Sequence, residues 1–354
     1  MREKQAENRR ATVLFNSGSR PRGCPVILSP VNSRRKLLFC IIISMDIERY
    51  ISERARAVNR ALPVLAAQVK DPHSRLVEAM LYSLSAGGKR LRPVLMIAAY
   101  EVFGGKASDI VPAACALEMV HTYSLVHDDL PAMDDDSLRR GRPASHKVYG
   151  EALAILSGDA LLTDAFTVLL SSKYPSKIKP GALLAAASIL SRRAGAGGMV
   201  SGQAADLEAE GFLRSRGEIT PARRRAGLKQ LSYIHLHKTA DLIMAAVEMG
   251  AALAGAPEKD FRALSEFGRE LGLCFQVADD ILDVAGDKKK LGKNGSDARN
   301  RKLTYPSLLG VEGARARAEE LMRSAVSRLA EVNGSAAAKG ALAAISGFVY
   351  RREN

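Results

Sequence analysis

The chain has 354 residues, a formal charge of +14, 47% hydrophobic residues, 5% aromatic residues and no Trp. That length without a low-complexity linker favours one large core, and an aromatic-poor composition in which Ala and Leu recur favours helices over sheets. Cys24, Cys40, Cys115 and Cys274 stand far apart with no CxxC pair. This argues against a zinc site or a disulfide framework and suits a reducing cytoplasm.

Residues 1–44 hold nine Lys/Arg against Glu3 and Glu7, half of the net charge. They mix Pro, Gly, Ser, Asn and Arg without period, so a disordered or non-native extension is expected, with a targeting arm as the alternative. The apolar run Leu37 to Ile43 falls well short of the ~18–20 residues that cross a bilayer, and no membrane span is expected. From Met45 the pattern changes. Ile47, Ile51, Ala55, Val58 and Leu62 recur with the period of an amphipathic helix. Further helical segments follow, broken at Gly87-Gly88, Gly104-Gly105, Gly141 to Pro143, Tyr174 to Gly181, Gly255 to Pro257 and Gly286 to Gly295. No alternating strand and no solenoid repeat stands out, so residues 45–354 read as a single all-α domain, a bundle of helices around a central cavity. The cations form no basic stripe with interleaved aromatics, and no nucleic-acid partner is expected.

The residues with catalytic or binding potential come in six groups. Gly88-Lys89-Arg90-Leu91-Arg92-Pro93 offers a flexible turn, then Lys89 and Arg92 three apart, on one face of a helix. Asp128-Asp129-Leu130-Pro131-Ala132-Met133-Asp134-Asp135-Asp136 places five carboxylates within nine residues. At that density like charges are costly unless solvated or neutralised by hard cations such as Mg²⁺. Helix geometry puts His121, Ser124, Leu125 and Asp128 on one face, and Pro131 ends that helix. Arg139-Arg140-Gly141-Arg142 follows directly, with guanidinium forks suited to phosphate. His235 and His237 diverge on a helix, whereas Lys238 and Thr239 could hold a departing phosphate.

The fifth group is decisive. At ~100° per residue, Gln276, Asp279, Asp280 and Asp283 share one arc, with Leu271, Cys274, Phe275, Ala278 and Leu282 on the other. A carboxylate face of this kind makes sense turned toward metal, and two such faces opposed would clamp a diphosphate bridged by Mg²⁺. A basic glycine loop, Lys288 to Asp297, reads as a surface loop or a lid carrying Lys293. No nucleophile triad and no GxxxxGK[ST] loop is present.

Together with Gly202-Gln203-Ala204-Ala205-Asp206, Lys302 and Thr304-Tyr305-Pro306, these motifs resemble the trans-isoprenyl diphosphate synthase family, in particular its short-chain bacterial farnesyl diphosphate synthases. The resemblance runs from Met45 to Asn354. It implies a bundle of antiparallel helices, usually paired as a homodimer, and about three Mg²⁺ held by Asp128, Asp134, Asp279 and Asp283. It adds Asp129 and Asp280 to the catalytic aspartates. It assigns Arg139, Lys238, Thr239, Gln276, Lys293 and Lys302 to the allylic diphosphate, and Lys89, Arg92, His121 and Arg140 to isopentenyl diphosphate. Tyr123 and Ser124, five and four residues before Asp128, would set product length. The aromatic Tyr123 implies fifteen carbons, with a twenty-carbon geranylgeranyl product as the alternative. A terpene cyclase fits less well, since its second metal site mixes Asn, Ser or Thr and Glu. A non-catalytic subunit of a heteromeric synthase would lack the aspartate clusters.

Overall fold

The computed structural model describes residues 45–68, 73–209, 220–285 and 303–351. The expectations for residues 1–44 and for Lys293 and Lys302 lie outside these residues. The first helix, α1 (Ile47–Ala66), starts where the periodicity starts. Asp46 caps it by accepting a hydrogen bond from the Arg49 amide at 2.9 Å, which satisfies one of the orphan donors of the first turn. Its buried stripe is Ile51, Ala55, Val58 and Leu62, continued by Ala66, with Ile47 partly covered.

Then come α2 (Ser74–Leu84), α3 (Leu91–Val102), a 3₁₀ turn at Ala107–Ile110 and α4 (Val111–Asp128). A two-stranded hairpin, β1 (Leu138–Arg139) with β2 (Arg142–Pro143), is the only sheet among the described residues. Beyond it lie α5 (Ser145–Tyr149), α6 (Glu151–Ser171), α7 (Pro180–Ala194), α8 (Met199–Ala209) and α9 (Pro221–Ile234). Six π-helical residues, His235–Ala240, join α9 to α10 (Asp241–Leu253). The last helices are α11 (Glu258–Ala285), α12 (Tyr305–Leu329) and α13 (Ala336–Tyr350). Among the described residues the fold is all-α apart from that hairpin.

Helices α3 and α10 are buried almost all round, the mark of central helices. They pack backbone to backbone because Gly250 lacks a side chain: a Cβ there would overlap the Met96 carbonyl oxygen. Around them the other described helices leave a cavity at the end of α4. Arg90, within the basic motif, serves the fold. It sits in left-handed conformation at φ 49° just before α3 and buries its guanidinium against Glu118 of α4 at 2.6 Å. Asn59 and the Leu84 carbonyl take its other donors. Removing one partner of a buried pair strands the other charge. Glu118→Ala is therefore expected to cost roughly 3–5 kcal/mol of stability, read as a lowered denaturation midpoint.

One described helix, α6, is long and apolar enough to cross a membrane, and less than half of it is buried. It packs along α4 and α2 as a member of the bundle. Ile155, Leu156 and Leu170 on its outer side remain 42%, 54% and 45% exposed.

Candidate active site

The cavity has a volume of about 710 Å³. Its first wall is the end of α4. Pro131 cannot extend the helix, so the chain folds back over its last turn. The Asp134 amide donates to the Asp128 carbonyl at 2.9 Å, and the Asp135 amide to that of Leu130 at 3.1 Å. This return brings Asp134 to the same cavity as Asp128. Burial raises the Asp128 carboxyl above the usual carboxylate range; Asp134 and Asp129 add to the shift, while Lys238 and Arg139 oppose it.

The hairpin then separates the two arginines. Arg140 and Gly141 both have positive φ, 53° and 75°, as a two-residue I′ turn requires. Arg139 turns back and donates from Nε to Asp129 at 2.8 Å, and from Nη2 to Asp136 at 3.4 Å. Asp129 is thus a buried partner of Arg139 and stands outside the cavity lining. Arg140 lies across Gly88 and donates to the Gly87 carbonyl; a Cβ at Gly88 would stand 2.7 Å from the guanidinium carbon. Arg92 reaches the cavity, its Nη1 3.2 Å from His121 Nε2. Burial, then Arg92 and Arg140, holds His121 well below its ordinary pKa, so the ring is neutral and accepts from Arg92.

Lys89 does not share that face. It precedes the start of α3 at Leu91, in a turn shaped by Gly87 and Gly88 at φ 81° and 116°, so the helical spacing to Arg92 does not apply. Its ammonium lies 4.6 Å above the Phe348 ring of α13, and it is outside the cavity lining.

The opposite wall is α11. Gln276, Asp279, Asp280 and Asp283 all line the cavity, but with unequal roles. Asp280 is 4% exposed, accepts from the Tyr305 amide at 2.9 Å, and is pushed up to about 8 by burial. It is a buried anchor for the start of α12. Phe275 and Leu282, assigned by helix projection to the far arc, also reach the cavity at its apolar margin.

The third wall is the π-helical segment. A π turn re-aims side chains relative to a regular helix and recurs at functional sites. Here it presents Lys238 and Thr239 to the cavity: Lys238 Nζ donates to Asp206 at 2.6 Å and Thr239 Oγ1 to Gln276 Oε1 at 2.6 Å. Gly202 of α8 abuts this segment so closely that a Cβ would overlap the Lys238 amide nitrogen. His237 donates from Nδ1 to the buried Asp241 at 2.8 Å, and Arg193 of α7 donates to the same carboxylate at 2.6 Å. His235 turns inward, 3.5 Å from Asp280; burial, with Lys238 assisting, pushes it down to about 3. The two histidines diverge, as their spacing predicts.

Tyr123 is 6% exposed and lines the cavity with Ser124, whose hydroxyl donates to the His121 carbonyl. Sequence reasoning did not single out Gln203, Asp206 or Asp136 as site residues. All three line the cavity, and Gln203 Nε2 is a buried donor with no hydrogen-bond partner. The signal for two of them was the Gly202 to Asp206 motif itself.

Among the described residues, no three His, Cys, Asp or Glu side chains converge to hold a metal unaided. What the cavity offers is hard carboxylate oxygens in two groups, with cationic and amide donors between them. That set fits Mg²⁺, which takes one or two carboxylates and completes its shell with water and substrate phosphate. Carboxylates in two groups with cations between them suit an anionic, phosphate-bearing ligand carried on Mg²⁺.

A family model described as polyprenyl synthetase matches residues 73–341. The chain belongs to this family and is a prenyltransferase of isoprenoid biosynthesis that makes trans-prenyl diphosphates. It is 44% identical over 297 residues to a farnesyl diphosphate synthase of Geobacillus stearothermophilus, covering 83% of this chain and 95% of that one. It is 41% identical over 358 residues to the large subunit 1 of a chloroplastic heterodimeric geranylgeranyl pyrophosphate synthase of Arabidopsis thaliana, covering 95% and 93%. That alignment takes in more than Met45 to Asn354 could supply, so likeness reaches into the residues before Met45. Among solved structures, a Helicobacter pylori geranyltransferase complexed with magnesium and isoprenyl diphosphate superposes with TM-score 0.71 at 31% identity, covering 86% and 98%. A Pyrococcus horikoshii geranylgeranyl pyrophosphate synthetase gives 0.74 at 28% identity, covering 87% and 99%.

Proposed function

We propose that the chain condenses isopentenyl diphosphate with dimethylallyl or geranyl diphosphate and stops at farnesyl diphosphate. The observation that carries the stop is Tyr123, a buried aromatic ring that lines the cavity five residues before Asp128 on α4. In this reading Arg139, Lys238, Thr239 and Gln276 hold the allylic diphosphate, while Arg92, His121 and Arg140 hold isopentenyl diphosphate, with Lys89 at the edge of that group. Asp128, Asp134, Asp279 and Asp283 hold Mg²⁺, about three ions in all. When bound, Mg²⁺ neutralises the charge of the diphosphate as a Lewis acid.

The chain's own residues do the rest. Preorganised cations stabilise charge as it gathers on the leaving diphosphate, often the largest catalytic contribution. The C1–O bond breaks, the isopentenyl double bond attacks the allylic cation, and the released diphosphate takes the C2 proton. Phe275, Leu242 and Met199 line the apolar side of the cavity and exclude the water that would quench the cation.

The alternative is a geranylgeranyl product, favoured by 44% identity to a chloroplastic geranylgeranyl pyrophosphate synthase of Capsicum annuum. Incubating purified protein with isopentenyl diphosphate, dimethylallyl or geranyl diphosphate and Mg²⁺, then chromatographing the prenyl products, decides between them. Fifteen carbons support the proposal; twenty support the alternative; diphosphate release without a longer chain sinks both. Tyr123→Ala is expected to move the main product to twenty carbons or more, and an unchanged product spectrum would remove Tyr123 from this role.

Residues 45–354 act here as one catalytic unit. The half-exposed Ile155, Leu156 and Leu170 on α6 support pairing of two copies along that helix. Light scattering is expected to give twice the chain mass. Cys115 and Cys274 are buried free thiols, in keeping with the reducing cytoplasm.

A further inference from the structure

We infer that Arg193 of α7 is a positioning residue for the reaction, aiming Lys238 at the leaving diphosphate through Asp241 and His237 without touching substrate itself. This rests on the role of Lys238 proposed above. Arg193, His237, Asp241 and Glu248 all lie outside the cavity lining. The Arg193 guanidinium divides its donors between two carboxylates: Nη1 donates to Asp241 at 2.6 Å, while Nη2 and Nε donate to Glu248 at 2.6 and 3.1 Å. Asp241 and Glu248 are both buried and stand about two turns apart on α10, so they share one face of it. Two carboxylates removed from water side by side need a cation between them. Ser265 of α11 donates to Glu248 as well, at 2.6 Å.

What separates this cluster from an ion network that only holds the bundle together is the second oxygen of Asp241. It accepts from His237 Nδ1 at 2.8 Å, so the carboxylate links the guanidinium on one side to the residue just before Lys238 on the other. Asp241 also closes the π turn through its backbone, its amide donating to the Leu236 carbonyl five residues back. One residue thus ties the π segment by backbone and by side chain, and Arg193 fixes that residue. Arg193 lies in the last turn of α7, and a tight glycine corner, where a Cβ at Gly198 would overlap the Arg193 carbonyl oxygen, leads into α8. Helix α8 carries Asp206, the partner of Lys238. Helices α7 and α8 therefore grip the π segment and α10 at two points, Arg193 on Asp241 and Asp206 on Lys238. Losing the first lets the Lys238 ammonium shift.

Kinetic coupling to Lys238 tests this. Arg193→Met keeps the stem and removes the guanidinium; kcat for condensation is expected to fall about 10- to 100-fold, the scale of a catalytic group displaced by about an ångström, with KM for isopentenyl diphosphate unchanged. In a Lys238→Met background the same change is expected to lower kcat by less than about twofold further, since the group it aims is gone. A purely structural Arg193 would lower kcat, or the folded fraction, by the same factor in both backgrounds. Should Arg193→Met fold poorly because it strands two buried carboxylates, His237→Phe breaks only the link to Asp241. It leaves the ion pairs of Arg193 in place and keeps a ring against Tyr233, where the centroids stand 4.3 Å apart, and is expected to show the same coupling. Equal factors in the two backgrounds, or full kcat in every variant that folds, overturns the inference. Wild-type protein that lengthens no prenyl chain overturns the proposed function, and Lys238→Met at full kcat overturns the role of Lys238 within it, so these failures are told apart from failure at Arg193.

Discussion

Asp128→Ala is expected to lower the condensation rate by about 10³-fold or more while the helices remain intact. Asp128 is the last residue of α4, held by packing that does not involve its carboxylate: Met119, Val120 and Val126 are buried on the helix, and the Asp134 amide bonds to its backbone carbonyl. Substitution therefore removes a charge from the cavity without removing a support of the fold. Burial already disfavours the ionised form, so the carboxylate is maintained by cations, and folding gains little from it. The thermal midpoint should stay the same or rise as the rate falls. The check is steady-state condensation beside thermal denaturation of the same preparation; a variant that keeps both its rate and its fold would deny the carboxylate any role.

Lys238→Met is the second large effect, expected at roughly 10²–10³-fold in kcat. Lys238 is the cation carried by the π segment, whose backbone abuts Gly202 and whose His237 is tied to Asp241, and its ammonium pairs with Asp206 at 2.6 Å. Met keeps the apolar stem and removes only the ammonium. Arg92 and His121 sit on α3 and α4, away from the π segment, so KM for isopentenyl diphosphate should change little. An equal loss spread over both substrates' KM with kcat preserved would place Lys238 in general binding, not on the leaving group.

How much of this was legible beforehand depends on the kind of information each feature needs. Periodicity alone carries the start of α1, the acidic face of α11 and the end of α4 at Pro131, because a helix's face and its breakers are local properties. Charge density alone points to cations at Asp128 to Asp136. Local spacing fails where the backbone leaves the helix. Lys89 and Arg92 part company because two glycines and a left-handed Arg90 precede α3. Asp129 and Asp128 are neighbours in the acidic run, but Asp129 is spent on Arg139 beneath the hairpin. Asp280 lies on the acidic arc but is claimed by Tyr305, 25 residues on. The π segment leaves no mark that helix periodicity could read, and the grip of Arg193 on Asp241 depends on two helices meeting.

The central claim is that carboxylates on α4 and α11 act through Mg²⁺ on one diphosphate. Calorimetric titration of inorganic diphosphate into wild-type, Asp128→Ala and Asp279→Ala proteins, each with Mg²⁺ and with chelator, tests it most directly. Binding should appear only with Mg²⁺, only in the wild type, and be lost alike when either wall is changed. Diphosphate bound equally well in chelator, or by both folded variants with Mg²⁺, would contradict the account.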